Sequence, residues 1–595
     1  MDLTPSKKKA FFWIFTLFFP LFLITIVEVG LRIGGFNKQA QNLFVEVQND
    51  NRFLVTNSTF IERYFPSFTP KIAPNPFRKK KQKNTFRVFV FGGSSTQGFP
   101  YNFYYSFSSR LEQKLLLNTD GLNVEVINLG MTAVNSYVIR DLSKRVLDYE
   151  PDAVIIYAGH NEYYGSFGVG TTQFGLVNSL FIKRLVLDLK NFRLYQLLEG
   201  ILKGEAKNTS SNRTMMAEVI KESNIEKDSK LYKDGINQFE HNIDDVVEVF
   251  RAAEIPIFIG TIASNLKDQA PLGDNNEALS KYKEAKKLFE EGELEISFDR
   301  FLDAKELDAI RFRAPEAIND FISNLSKKEG VEVVKVQKML RDSSAAGIED
   351  ETLFIDHLHP NYKGHILIAD LFLDYLRKLK PVKDSYHPNS FDIPNQISEF
   401  EETYSTTTIS RLLVGYPFQK GLSIEEELSR FDIIYREYLS GTYTNSIAAK
   451  TAREVNSVPL ALSEVVNSAK SRNDSLTAIS HYYELLKWQL KSIDIIEKSI
   501  EYSVNNRSTD TYLVNLLTQV LNDGNYDPRY IDVLSGVYLQ NNELEKASYW
   551  LKESEKIDPE SANLIYNYAR YFILKGDTLE ASKYYNRLMN RQKKN

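Results

Sequence analysis

Asp152-Ala-Val-Ile-Ile-Tyr157 is an apolar run rich in β-branched residues and has no two-residue alternation. Such a strand is buried on both faces, as in a parallel sheet covered by helices on each side. The surrounding chain repeats the pattern. Phe86 to Phe91 and Val124 to Asn128 are apolar, β-rich runs before it; Ile255 to Ile262 and Val331 to Val336 follow. Phe107, Leu111 and Leu115 recur at helical spacing between the first two, and Tyr137 to Leu147 reads as a helix. Strands alternating with helices imply a three-layer α/β/α sandwich around a five-stranded parallel sheet. Reactive residues of such a sheet are expected at the carboxyl ends of strands.

Four short segments occupy those ends. Phe91-Gly-Gly-Ser-Ser-Thr-Gln-Gly98 offers a serine after an apolar strand. Asn128-Leu-Gly-Met-Thr-Ala133 offers a backbone turn, and Gly159-His-Asn-Glu162 an asparagine. Asp356-His-Leu-His-Pro-Asn361 offers an Asp and a His three residues apart. Nucleophile, oxyanion donors, base and orienter are the parts of a serine esterase. As a set, over roughly Phe86 to Leu379, these blocks resemble the SGNH hydrolases, also called GDSL-like lipases and acylhydrolases.

The resemblance implies a flavodoxin-like sheet and a role for each block. Ser94 aligns with the nucleophile, His359 with the general base and Asp356 with the residue that holds its imidazole. Oxyanion donors would be the Ser94 N–H, the Ala133 N–H and the Asn161 amide. Two departures stand out. The family's usual Asp is Gly93 here, and its oxyanion glycine falls, by spacing from Asn128, on Ala133 rather than Gly130. Alanine keeps the N–H provided the backbone can adopt the turn. Ser95 is the runner-up nucleophile. His357, His359 and His365 also invite a zinc reading. No carboxylate–histidine pattern elsewhere completes a metallohydrolase, and that reading leaves Ser94 and Asn161 unexplained, so neither metal nor cofactor is expected. Arg311 and Arg313 form a candidate anion clamp for substrate.

At 595 residues the chain needs more than one core. A net charge of −5 argues against a nucleic-acid partner. The run Arg78-Lys79-Lys80-Lys81 is a local exception, either a solvated loop or a contact to anionic lipid. With no cysteine, thiolate chemistry and disulfides are excluded. Lys7-Lys8-Lys9 precedes an uncharged apolar run from Ala10 to Val27, ended by Glu28. That pattern predicts an uncleaved single-pass transmembrane helix within residues 1–33, its lysines cytoplasmic and the rest of the chain extracytoplasmic.

Residues 34–84, punctuated by Pro66, Pro70, Pro74 and Pro76, read as a linker or an arm wrapping the next domain. The hydrolase domain, 85–380, carries two helical inserts, 163–235 and 278–310. The first holds an apolar stretch, Leu176 to Leu202, suited to core packing, a lid or a membrane-facing element, and then a polar tract from Ala206 to Lys230. Pro381, Pro388 and Pro394 mark a linker, 381–399, which predicts that the all-α region 400–595 is separable. Leu534, Tyr538, Ala547 and Pro559 recur thirty-four residues later as Tyr568, Phe572, Ala581 and Lys593, resembling two tetratricopeptide repeats. Such helix pairs need neighbours to bury their apolar faces, so helices from Phe400 to Asp527 should stack on them, and a protein partner is expected. The expected function is a membrane-anchored esterase acting on acyl or acetyl esters of envelope glycans or lipids. An O-acyltransferase using the same triad, and a scaffold with a vestigial core, are the alternatives.

Overall fold

The computed structural model describes residues 5–592 apart from 48–49, 66–69, 71, 73–74, 172–178, 204–223, 389–392, 394, 455–456, 489–496, 499, 503–509 and 523–526. Pro66, Pro74, Pro394, Lys593 and most of the polar tract from Ala206 to Lys230 lie outside the described residues.

Strands β1 (Phe44–Val47), β2 (Asp50–Thr56) and β3 (Phe77–Arg78) form a small antiparallel sheet. Strands β4 (Thr85–Gly92), β5 (Asn123–Asn128), β6 (Ala153–Tyr157), β7 (Ile257–Gly260) and β8 (Val331–Val334) form the main sheet. Its order is β5-β4-β6-β7-β8, all parallel, which is the flavodoxin-like order. Every residue of β4 and β6 is buried, Thr85 and Arg87 of β4 included. Alternation sends Phe91 to one face, where it meets Phe250 of the Lys230–Ala252 helix. Tyr157, in register with Gly92, meets Phe107 on the other face, where Phe107 stacks on Phe372. The chain leaves β4 for β5 on one side and returns to β6 on the other. The crevice at that switch point is where Ser94 and Asn161 emerge.

The segment 34–84 is an arm, not a linker. Phe44 and Phe77 are buried and pack on Phe89, with ring centroids 6.0 and 5.8 Å away. Buried Arg87 joins the layers, donating to Glu125, to the Tyr149 carbonyl and to the Arg78 carbonyl. Within the basic run, Lys79 pairs with Glu46 and Lys81 with Asp152, both at 2.6 Å. The solvated-loop reading of that run therefore fits better than a free cationic patch.

Both inserts are helical. The second is the hairpin Asn276–Glu290 and Leu294–Leu307, turned at Gly292. In the first, the apolar stretch splits into helices Leu180–Leu189 and Arg193–Lys203. The N-terminal run lies in one helix, Pro5–Ile33. Among the described residues, however, no helix is long and apolar enough to cross a membrane, so the transmembrane expectation gains no support here.

Among the described residues, the region after the hydrolase domain is all helical, from Glu399–Leu413 to Thr578–Gln592. The last four helices form two pairs, Pro528–Gln540 with Leu544–Ile557 and Ala562–Leu574 with Thr578–Gln592. The Asp510–Asn522 helix packs on the first pair, as stacking requires.

The expectation that this region is separable is corrected by its contacts. Leu117 of the hydrolase domain shares an apolar core with Leu517, Ile531 and Leu534. The Asn522 side chain accepts from the Val124 N–H at 2.7 Å and donates to the Val124 carbonyl at 2.9 Å, covering the open edge of β5. Lys546 pairs with Asp120 at 2.7 Å. Pro381 stands in the first turn of the helix Lys380–Ser385, whose Val382 is buried.

The same interface buries two carboxyl groups. The Asn102 amide donates to both Glu401 and Glu484, and the Tyr105 hydroxyl lies 3.4 Å from Glu484. Burial pushes the Glu484 carboxyl up to about 8, against the pull of its bonds to Asn102 and Tyr105. The folded chain thus keeps a proton here that the unfolded chain, with its carboxyl near 4.5, releases. The stabilising contribution is complete below the unfolded value and is lost as pH rises through the folded one. Glu484→Gln should therefore raise the melting temperature at mildly alkaline pH by about 2 °C or more. The gain should vanish in acid. Equal melting shifts at both pH values would refute the assignment.

Candidate active site

Ser94 opens the four-residue helix Ser94–Gln97, one glycine beyond β4. Thr96 fastens that turn to the sheet by donating its hydroxyl to the Tyr157 carbonyl at 2.8 Å. Asn128 ties in the second block. Its amide donates to the Thr96 carbonyl at 2.8 Å, and its oxygen accepts from the Gly130 N–H at 2.7 Å. These contacts hold Ser94 at the mouth of the crevice, 8% exposed.

The loop before the Tyr362–Leu376 helix brings the base. His359 Nε2 lies 2.7 Å from Ser94 Oγ, and His359 Nδ1 lies 2.6 Å from Asp356 Oδ2. The other Asp356 oxygen accepts from the N–H groups of Leu358 at 2.9 Å and His359 at 2.8 Å, so a single turn presents both side chains. Burial opposes a charge on Asp356. The neighbouring imidazoles of His359 and His357 and their hydrogen bonds outweigh it, holding the carboxyl well below its usual range. A carboxylate that stays ionised is the partner an Nδ1–H imidazole needs, leaving Nε2 free to take a proton from serine. Phe99 covers the pair, its ring 4.8 Å from that of His359. Ser95 points elsewhere and donates to the Leu358 carbonyl at 3.3 Å, a tie between the nucleophile turn and the base loop.

Asn161 follows β6 in a short turn, and its amide donates to the Val134 carbonyl at 3.0 Å. That amide nitrogen lies where a side chain at position 93 would begin, 2.5 Å from an ideal Cβ on Gly93. Glycine at 93 leaves that space to the Asn161 amide. Ala133 adopts the turn its position demands, with φ of +60°. An L-residue there is strained by roughly 1–2 kcal/mol. The Ser166 N–H holds the turn by donating to the Ala133 carbonyl at 2.9 Å.

An amide in this position is suited to a developing oxyanion. Asn161→Ala should therefore lower turnover about a hundredfold or more with little change in substrate affinity. Gly93→Ala should lower it less, by displacing the same amide. Steady-state kinetics on a soluble ester would show both. Unchanged turnover in Asn161→Ala would remove it from the site.

Arg311 and Arg313 do not reach this crevice, and the substrate-clamp expectation is withdrawn. Both are buried. Arg311 donates to the Ile225 and Glu306 carbonyls; Arg313 donates to the Asn265 and Gln269 carbonyls and to Asp308. They brace the second insert against the domain. The histidines also divide differently from the zinc reading. His365 lies apart, its ring against Tyr101 and Phe107, and burial pushes it down to about 3. Among the described residues, the one cluster spaced to hold a metal is Asp356, His357 and His359. Its carboxylate already binds the His359 ring, and His357 packs against Phe312 and Phe418. Thr96, Phe99 and Asn128 were invisible as site residues in the sequence, because their roles rest on contacts across the fold.

Comparison with known proteins agrees on this domain. Residues 88–372 match the family described as GDSL-like Lipase/Acylhydrolase. No curated protein matches the chain. Similar solved structures include the lipase/acylhydrolase from Enterococcus faecalis, 14% identical, covering 50% of this chain and 98% of that one, with a TM-score of 0.27. A catalytic mutant of Axe2, an acetylxylan esterase from Geobacillus stearothermophilus, is 12% identical, covering 52% and 99%, with a TM-score of 0.26. MamA 41-end from Desulfovibrio magneticus RS-1 is 16% identical, covering 33% and 98%, with a TM-score of 0.21. The family match spans β4 to the Tyr362–Leu376 helix, and with it all four blocks of the crevice. The crevice thus lies wholly inside the stretch of this chain, residues 88–372, that matches the GDSL-like lipase/acylhydrolase family.

Proposed function

We propose that this chain is a serine ester hydrolase that cleaves small acyl esters of the cell envelope while tethered by its N-terminal helix. The continuous relay from Ser94 through His359 to Asp356 carries the reading. In the proposed reaction His359 Nε2 takes the Ser94 proton as Oγ attacks the ester carbonyl. The Ser94 N–H, the Ala133 N–H and the Asn161 amide stabilise the tetrahedral oxyanion. His359 then returns the proton to the leaving alcohol, and water resolves the acyl-enzyme by the same relay in reverse. Transfer to a second hydroxyl would use the same side chains and differ only in the acceptor.

The narrow crevice between Gly93, Ser94, His160, Asn161 and Leu358 favours a small acyl group such as acetyl. The tether reading is supported by the apolar run from Ala10 to Val27 and by the exposure of Phe12, Trp13, Phe18 and Phe22 along its helix. Lys7 to Lys9 would then stay cytoplasmic and the hydrolase domain would face outward. The C-terminal helix pairs are read as tetratricopeptide-like. Exposed Ile573, Leu579 and Tyr585 on the last pair offer a protein partner apolar contact.

The test is hydrolysis of 4-nitrophenyl esters of increasing acyl length by the purified chain, with and without EDTA. Acetate should be cleaved fastest, and chelation should change nothing. No cleavage of any ester would favour the scaffold alternative. Loss of activity in EDTA with rescue by zinc would favour a metal at Asp356, His357 and His359.

A further inference from the structure

The two successive helices of the first insert, Leu180–Leu189 and Arg193–Lys203, each leave apolar side chains bare. In the first, Lys183 and Leu187 are buried, and Arg184 donates to Asn242 at 2.9 Å and pairs with Asp245 at 3.3 Å. The segment exposes Phe181, Leu185, Phe192, Leu198, Ile201 and Leu202; Phe181 is 72% and Leu202 85% open. Phe181 and Leu185, and Leu198 and Leu202, stand four residues apart on their helices, so each helix carries an apolar face. Exposed apolar side chains gathered on one element mark a contact surface.

The base of the N-terminal helix shows what that surface meets. Glu28, the residue that ends the apolar run, accepts from the N–H groups of Arg193 at 3.2 Å and Leu194 at 2.9 Å. Those donors belong to the first turn of the Arg193–Lys203 helix, where a carboxylate is favoured by the unpaired N–H groups. Arg32 locks the carboxylate from its own helix at 2.6 Å, and Asn37 donates to Gln196 at 2.8 Å. The Arg193–Lys203 helix is therefore bolted to the N-terminal helix at the level where the apolar run stops.

We propose that the helical segment Leu180–Lys203 is a lipid-surface element. Its apolar faces lie in the interfacial layer of the bilayer that takes up the Pro5–Ile33 helix, and they set the orientation of the hydrolase domain on that surface. The inference rests on the tether reading above. A helix with one apolar face and a fastened polar face suits this interfacial depth. A protein covering the same patch would have to share it with the bilayer at the root of the helix.

The cysteine-free chain permits a direct test. Single variants Phe181→Cys, Leu202→Cys, Phe22→Cys and, as an aqueous control, Glu560→Cys are labelled with an environment-sensitive fluorophore. Each full-length chain is reconstituted into phosphatidylethanolamine–phosphatidylglycerol vesicles containing nitroxide lipid. Labels at 181 and 202 should lose emission to nitroxide placed just below the headgroups, and the label at 22 to nitroxide deep in the acyl layer. Loss at 22 with 181 and 202 behaving like 560 overturns the lipid-surface proposal and leaves the tether intact. No loss at 22 overturns the tether and the lipid-surface proposal with it. A blue shift at 181 and 202 without quenching marks a protein contact, such as a second copy, and also overturns it.

Discussion

Ser94→Ala and His359→Ala should each abolish ester cleavage, by on the order of 10⁵-fold or more in turnover, while the chain stays folded. The size follows from how the groups act. Serine is a poor nucleophile until its proton is removed, and His359 Nε2, 2.7 Å away, is the base placed to remove it. The two losses should not add, because either deletion disables the same step; the double variant should be no slower than the worse single one. Ser95→Ala should cost far less, since its hydroxyl serves the Leu358 carbonyl. The check is kinetics on a soluble ester, with circular dichroism to verify folding. Wild-type turnover in Ser94→Ala, or abolition by Ser95→Ala alone, would move the nucleophile to Ser95.

Ending the chain near Pro381 should destroy the fold rather than liberate an active domain. Such a truncation uncovers Leu117, strips Asn522 from the edge of β5, and leaves Asp120 without Lys546. It also removes Phe418, which packs on His357 beside the base. An open sheet edge next to an uncovered apolar face is a template for aggregation. The truncated chain should be insoluble, or lack a cooperative melt, and show no esterase activity. A soluble truncation with a sharp melt and full activity would mean that the helical region is a passenger.

These outcomes mark where sequence reasoning reached and where it stopped. The sheet was legible because β4 and β6 are buried on both faces, and a continuous apolar run has few other uses. Ser94, Asn161, Asp356 and His359 were assigned through the resemblance of their blocks to the GDSL-like hydrolases, and each block follows a strand end or forms one tight loop, so its placement depends on local chain alone. The segment 34–84 was open between linker and arm because its prolines say nothing of packing, while Phe44, Leu54 and Phe77 on its short strands share the core of the main sheet. Arg311 and Arg313 were misassigned because a charged pair next to an insert reads the same whether it faces substrate or carbonyl oxygens of its own chain. The attachment of the helical region was hidden for a similar reason. Asn522 and Val124, or Asn102 and Glu484, lie hundreds of residues apart, and nothing local to either announces the other.

The most direct test of the central claim is covalent. A fluorophosphonate probe should label the wild-type chain, and peptide mass spectrometry should place the adduct on Ser94. Ser94→Ala should take up none, and His359→Ala should label far more slowly. An unlabelled wild-type chain, or an adduct on any other residue, would contradict the account.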